Sequence, residues 1–194
     1  MPNHITNRLK ITGPKELVKK IVNECAGDKD QLIWGYGGEK VPNPFDFDKI
    51  VPMTDDVKKS IDDPSYYPPG FLESWGVNGP TFPRPMEYWY EWCLENWGTK
   101  WNSYEPSVDE DGSDGKWIVW FDTAWSAPEP VINALALKYP GIRIDHRWAD
   151  EDIGYNCGIR RYRTFMGKVQ VNQTNMEGHK RWCRRVKNRS IGND

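Results

Sequence analysis

Histidine is scarce in this chain, at three in 194 residues, and cysteine is little commoner, at four. The cysteines, Cys25, Cys93, Cys157 and Cys183, lie far apart, and no pair has the C-x-x-C spacing of a zinc site. No apolar run approaches the ~20 residues of a membrane-spanning helix. Met1-Pro2-Asn3-His4 is polar and lacks the apolar stretch of a secretory signal. These absences predict free thiols, no metal, no membrane partner and a reducing, cytoplasmic setting. No G-x-G-x-x-G, no P-loop and no serine elbow with His and Asp partners occurs. The expectation is therefore binding rather than catalysis, with no catalytic residue and no cofactor to name.

What the chain has in excess is tryptophan, at 11. Large aromatics bury well, so most should be core. Eleven exceeds what a core of this size requires, and Trp is enriched in binding hot spots. The net charge of −2 hides a division. From Gly158 to Asp194 there are ten Lys and Arg against two acids, a net of +8, and the remainder carries −10. That asymmetry suggests an anionic partner for the C-terminal end.

Periodicity places the elements. His4 to Ile11 alternates and reads as a strand. Gly13-Pro14 opens a helix whose apolar face is Leu17, Val18, Ile21, Val22 and Cys25. Phe45 to Pro52 alternates again and predicts a second strand. Residues 54–84 are rich in Pro, Gly, Asp and Tyr and read as an irregular insertion. Met86, Trp89, Tyr90, Cys93, Leu94 and Trp97 form a helical stripe closed by Gly98. Residues 105–116 read as an acidic loop, and Lys116 to Thr123 as a strand. Ser126 to Glu129 has the form of a capping box before a helix carrying Val131, Ile132 and Leu135. A strand over Ile142–Trp148, another ending at Phe165, a hairpin partner from Gly167 and a short basic helix over 176–188 complete the chain.

Two split βαβ units follow from that order. They predict an α+β, ferredoxin-like domain over residues 1–165, an antiparallel sheet with helices on one face. Residues 166–194 would add a hairpin strand and a basic helical extension.

Several segments together carry a resemblance. They are Met1 to Leu9, Phe45 to Met53, Asn96 to Asn102, Phe121 to Pro128, and Ala149 to Gly154. In this order they resemble the YubB ferredoxin-like domain family, whose members occur in phages and plasmids. The resemblance runs from residue 1 to about 165. It implies the ferredoxin-like fold and a mobile-element origin, hence a host bacterial cytoplasm, and it implies no activity.

Three binding readings remain open. In the first, Trp97, Lys100, Trp101 and Asn102, helped by Asn3 and His4, hold a small nucleotide-like ligand. Indole faces stack on bases, Asn pairs with a base edge, and Lys meets a phosphate. Such a protein would sequester the ligand and so counteract a host process such as antiviral defence. In the second, Lys180, Arg181, Arg184, Arg185 and Lys187 track a nucleic-acid backbone. In the third, the chain inhibits a host protein through Tyr66, Tyr67, Phe71, Trp75 and Phe82 of the insertion. A homo-oligomer formed at a sheet edge also stays open. Asp109 to Asp114 fails as a calcium loop, since Asp114 stands where Gly is needed and Trp120 where Glu is needed. Asp145 and His146 fall on opposite faces of a strand, and Asp150-Glu151-Asp152 reads as a solvated turn.

Overall fold

In the computed structural model, residues 3–62 and 89–190 are described. The architecture grows from β1 (His4–Thr12), in which alternate side chains take opposite faces. Leu9 and Ile11 point to one face and are fully buried there. The helix α1 (Lys15–Cys25) lays Val18, Ile21 and Cys25 over that face. Each such side chain contributes about 1.5–3 kcal/mol on leaving water.

A small hairpin follows, β2 (Leu32–Trp34) with β3 (Lys40–Pro42), then α2 (Asp55–Asp62) and α3 (Trp89–Asn96). The main sheet continues with β4 (Tyr104–Asp111) and β5 (Lys116–Ala124). After α4 (Glu129–Lys138) come β6 (Arg143–Asp150), β7 (Gly158–Phe165), β8 (Lys168–Asn175) and α5 (Lys180–Lys187). The six strands order as β4-β5-β1-β6-β7-β8, and every neighbouring pair is antiparallel. The strands β4, β5, β1 and β6, with α1 and α4, interleave two split βαβ units: β5 lies between β1 and β4, and β1 between β5 and β6. The fold is ferredoxin-like, as the order of elements predicts, with a β7–β8 hairpin added beside β6.

The second strand of the first unit is not where alternation puts it. Phe45 to Pro52 forms no strand; Phe47–Lys49 is a single 3-10 turn. Phe45 and Phe47 both enter the core, which gives the period of two. The intervening Asp46 accepts from the Asp48 amide (3.0 Å), and Asp48 from the Met53 amide (2.7 Å). Carboxylates that cap their own backbone favour turns over ladders. The true second strand is β4, which starts at Tyr104 and takes up most of the stretch 105–116 that reads as an acidic loop. It is a bulged sheet edge, where acidic residues stay solvated and hinder pairing with other chains. Residues 55–62, expected to be irregular, are helical in α2, and 63–84 lie outside the described residues.

The capping box at Ser126 is not formed either. Ser126 Oγ donates to the carbonyl of Gly98, and Glu129 pairs with Arg160 at 3.0 Å. The α4 helix instead begins behind Pro128, with no side-chain cap.

The basic extension folds back onto the sheet. Cys183 and Val186 of α5 are buried against Ile118, Trp120, Ala149 and Cys157, on the face opposite α1. Lys187 Nζ donates to the His4 carbonyl at 2.8 Å. Beyond the helix, Arg189 reaches Asp122 (3.2 Å), Ser107 Oγ (2.8 Å) and the Glu105 carbonyl (2.7 Å), with its guanidinium 3.9 Å from the Tyr36 ring centre. Helices therefore cover part of both sheet faces.

Cys157 and Cys183 are both free and buried, with their sulfurs 2.7 Å apart. Burial pushes the Cys157 thiol up to about 12, so little thiolate exists at neutral pH. A diazene dicarboxamide oxidant is expected to join the pair slowly, taking two hydrogens from the thiols and becoming the hydrazine. Closing this loop should stabilise the fold by about 3 kcal/mol. Mass spectrometry would show a loss of two hydrogens and a Cys157–Cys183 peptide; unchanged masses after hours of oxidant would refute it.

Candidate functional site

A cavity of about 660 Å³ opens beside the segment that links α3 to β4. Its described walls come from α2, α3, the turn at 28–31, the 46–53 segment and residues 97–102. The sequence places Trp97, Lys100, Trp101 and Asn102 together, and all four line it. Their roles differ.

Trp97 is a core residue with one edge on the cavity. It is 3% exposed, packs edge-on against Phe47 and Trp92, and donates from Nε1 to the Val51 carbonyl (2.9 Å). Gly98 then turns the chain at φ +75°, and a Cβ there would lie 2.7 Å from Pro130 Cδ. Asn102 is a clamp. Its Oδ1 accepts from the amides of Phe47 (2.9 Å) and Ser103 (2.8 Å), and its Nδ2 donates to Asp46 (2.6 Å). Those bonds fix the wall and leave Asn102 little capacity for a base edge.

Lys100 and Trp101 face outward. Trp101 is 37% exposed, large for an indole at a cavity mouth. The Lys100 ammonium lies 4.8 Å from the Trp101 ring centre, 5.1 Å from Trp125 and 5.7 Å from Tyr90. Three ring faces thus hold one cation at the rim. Trp125 sits at φ +70°, a conformation that is rare for a bulky residue. Its amide donates to the Asn3 carbonyl (2.9 Å), and its carbonyl accepts from Asn156 (3.0 Å). No sequence pattern marks that conformation, and so Trp125 is missed by periodicity.

Asn3 and His4 do not line the cavity. Asn3 Nδ2 donates to Asp150 (3.2 Å). His4 Nδ1 is 2.6 Å from the Tyr104 hydroxyl. Tyr104 packs edge-on against both His4 (5.7 Å) and Trp101 (6.3 Å), so His4 reaches the rim only through it. Burial raises the Tyr104 hydroxyl well above its ordinary value, which keeps it neutral.

The polar wall was not legible as a site. Asp28, Asp46 and Asp48 face Lys49 and Lys58 across the cavity. Lys49 pairs with Asp28 (2.8 Å) and Lys58 with Asp48 (2.7 Å). The hydrogen bond to Asp28 raises the Lys49 ammonium. With Lys100, three ammoniums balance three carboxylates. The wall is charged but neutral, with donors and acceptors both present.

Asp145 and His146 occupy opposite faces of β6. Asp145 pairs with Arg147 and Arg161. His146 is fully buried, 3.0 Å from Asn7 Oδ1 and stacked on Trp148; burial lowers its pKa to about 3. It is neutral and structural. Among the described residues no cluster of His, Cys, Asp and Glu is arranged to hold a metal ion. Nor is any helix there long and apolar enough to cross a membrane. Of the basic set on α5, Lys180, Arg181, Arg184 and Arg185 are exposed, while Lys187 is half-buried on the His4 carbonyl. Tyr66, Tyr67, Phe71, Trp75 and Phe82 lie outside the described residues.

Residues 96–179, from the end of α3 to just before α5, match the family model described as the ferredoxin-like domain in Api92-like protein. A solved structure, that of protein api92 from Yersinia pseudotuberculosis, is similar over 90% of this chain and 99% of that one. The two share 11% identity, with a TM-score of 0.47. No curated protein matches the chain.

Proposed function

We propose that this chain is a non-enzymatic binding protein that captures a small nucleotide-like ligand in the cavity beside Trp101. One observation carries the reading: a cavity of about 660 Å³ has a part-exposed indole and a lysine ammonium at its mouth, over a wall of three carboxylates and two further lysines. A base stacks on the Trp101 face, and phosphate oxygens meet Lys100, Lys49 or Lys58. The aspartates accept from sugar hydroxyls or an exocyclic amine. A cavity of this size falls in the range that encloses drug-sized ligands.

The role we attach to capture is sequestration inside a bacterial host cytoplasm, on behalf of a phage or plasmid, against a process such as antiviral defence. The five segments that resemble the YubB family motivate that context.

A thermal-shift screen of mononucleotides and cyclic dinucleotides tests the proposal. A ligand at 100 times its Kd adds about 2.7 kcal/mol, or roughly 5–10 °C of melting temperature for a chain of this length. Trp101→Ala removes the stacking surface and is expected to weaken binding by about 10- to 100-fold. No shift with any of these compounds, or unchanged affinity in Trp101→Ala, would overturn it.

A further inference from the structure

Away from the cavity, the sheet face that α5 covers is only half covered. The α5 helix packs over Ile118, Trp120, Ala149 and Cys157. The other half of that face is set by register. Lys10 of β1 stands opposite Asp145 of β6, and Asp145 opposite Arg161 of β7. Alternation then brings Arg143, Arg147 and Arg163 to the same side, and Lys168 follows at the hairpin end. A shallow depression of about 220 Å³ has Lys10, Arg143, Arg161 and Arg163 in its rim.

Among the described residues, six cations share this surface with one carboxylate, Asp145. Asp145 is shared between Arg147 (2.8 Å) and Arg161 (3.1 Å), which aligns the two guanidiniums and neutralises one charge. Arg143, Arg163 and Lys168 are exposed. The surface carries a net +5 on a chain whose total is −2. Towards β4 it ends at the Lys116–Glu110 pair (2.8 Å), and towards β8 it continues into Gln170, Asn172 and Thr174. The exposed cations of α5 project from the same side of the sheet.

We infer that this half-face binds the phosphate backbone of a nucleic-acid duplex, without reading its sequence. Charge complementarity selects a polyanion, and guanidiniums fork onto phosphate oxygens. Amide and hydroxyl side chains of β8 supply the secondary backbone contacts usual in such interfaces. Single-strand binders stack bases on aromatic side chains. Among the described residues this half-face presents a single exposed ring, Phe165 opposite Lys168 at the hairpin end, because Trp120 lies under α5. One ring at the margin is no platform for successive bases, and a duplex, whose bases are already stacked, needs none. The inference is independent of the cavity.

Fluorescence anisotropy with a labelled 20-base-pair duplex, at about 50 mM salt, tests it. Wild-type protein is expected to bind with a log K against log salt slope of about −3, as three or four phosphate contacts require. Arg143→Glu/Arg163→Glu/Lys168→Glu should weaken binding at least 10-fold while the melting temperature holds. A control with the same change of charge, Lys15→Glu/Lys19→Glu/Lys20→Glu on α1 of the opposite side, should lose less than about 3-fold. If the first variant misfolds, glutamine at its three positions gives the same comparison with a smaller loss. Absence of wild-type binding overturns the inference, as does equal loss in both variants. So does tighter binding of a single strand than of the duplex, or loss confined to Arg181→Glu/Arg184→Glu.

Discussion

A protein ending at Asn175 is expected to aggregate, or to melt so early that no cooperative transition appears near room temperature. The chain after β8 looks dispensable in sequence, being polar and strongly basic. In the fold it is a lid on the core. Removing α5 uncovers Ile118, Trp120, Ala149 and Cys157 and deletes buried Cys183 and Val186. At about 1.5–3 kcal/mol for each large apolar side chain, the loss is about 8 kcal/mol. A domain of this size has only about 5–15 kcal/mol in total. The deletion also strips the Lys187 donor from the His4 carbonyl and the Arg189 partner from Asp122. Size-exclusion chromatography with a circular-dichroism melt measures the outcome. A monomer melting within a few degrees of the full chain would refute this account of α5. For the same reason, the basic end has to be probed by point substitution rather than deletion.

Arg189→Met is expected to cost about 3–5 kcal/mol, or roughly 10 °C of melting temperature. The Arg189 and Asp122 side chains are 6% and 9% exposed. Burial raises the Asp122 carboxyl, and Arg189 is the first group acting to lower it. Without the guanidinium, Asp122 is a buried charge with only the weaker help of Lys187 and the Thr6 hydroxyl, so its folded pKa rises further. A carboxyl with a raised folded pKa stabilises the fold below its unfolded value, near 4, and loses that contribution as pH rises through the folded value. The variant should therefore recover stability on acidification from pH 7 toward 5, by more than wild type does. Asp122→Leu/Arg189→Met should regain most of the loss, since an apolar pair leaves no charge unmatched. Urea denaturation at pH 7 and 5 reads both effects. An Arg189→Met variant as stable as wild type at pH 7 would show that the pair contributes little.

The sequence is most informative where periodicity and burial agree. β1, α1, β5, α4 and β6 follow from their apolar spacing, and with them the ferredoxin-like order. It misleads where a side chain imitates a period. Phe45 and Phe47 alternate because a capped turn sends both inward. β4 is hidden by acids that an edge strand tolerates. Ser126 and Glu129 have capping-box spacing, yet each has a tertiary partner, Gly98 and Arg160. At the cavity, helical spacing finds Trp97 and chain proximity brings Lys100, Trp101 and Asn102 along. Asp28, Asp48 and Lys58 arrive from distant segments, and Trp125 through a backbone angle. Local patterns cannot report such meetings. The open basic half-face is hidden in the same way, because Lys10 and Arg143 become neighbours of Arg161 and Arg163 only through strand register.

The position of β1 also has a meaning in time. It has a hydrogen-bonded neighbour on each side, β5 and β6, and cover from helices on both faces. β8 has one neighbour, and nearly all of its side chains are exposed. Amide protons at Leu9 or Val119 are expected to exchange with solvent only when the whole domain opens, and those on the free edge of β8 through local fraying. The molecule thus has a slow centre and a fast margin. The surface inferred to meet a duplex spans that gradient, from strands paired on both sides to one paired on a single side.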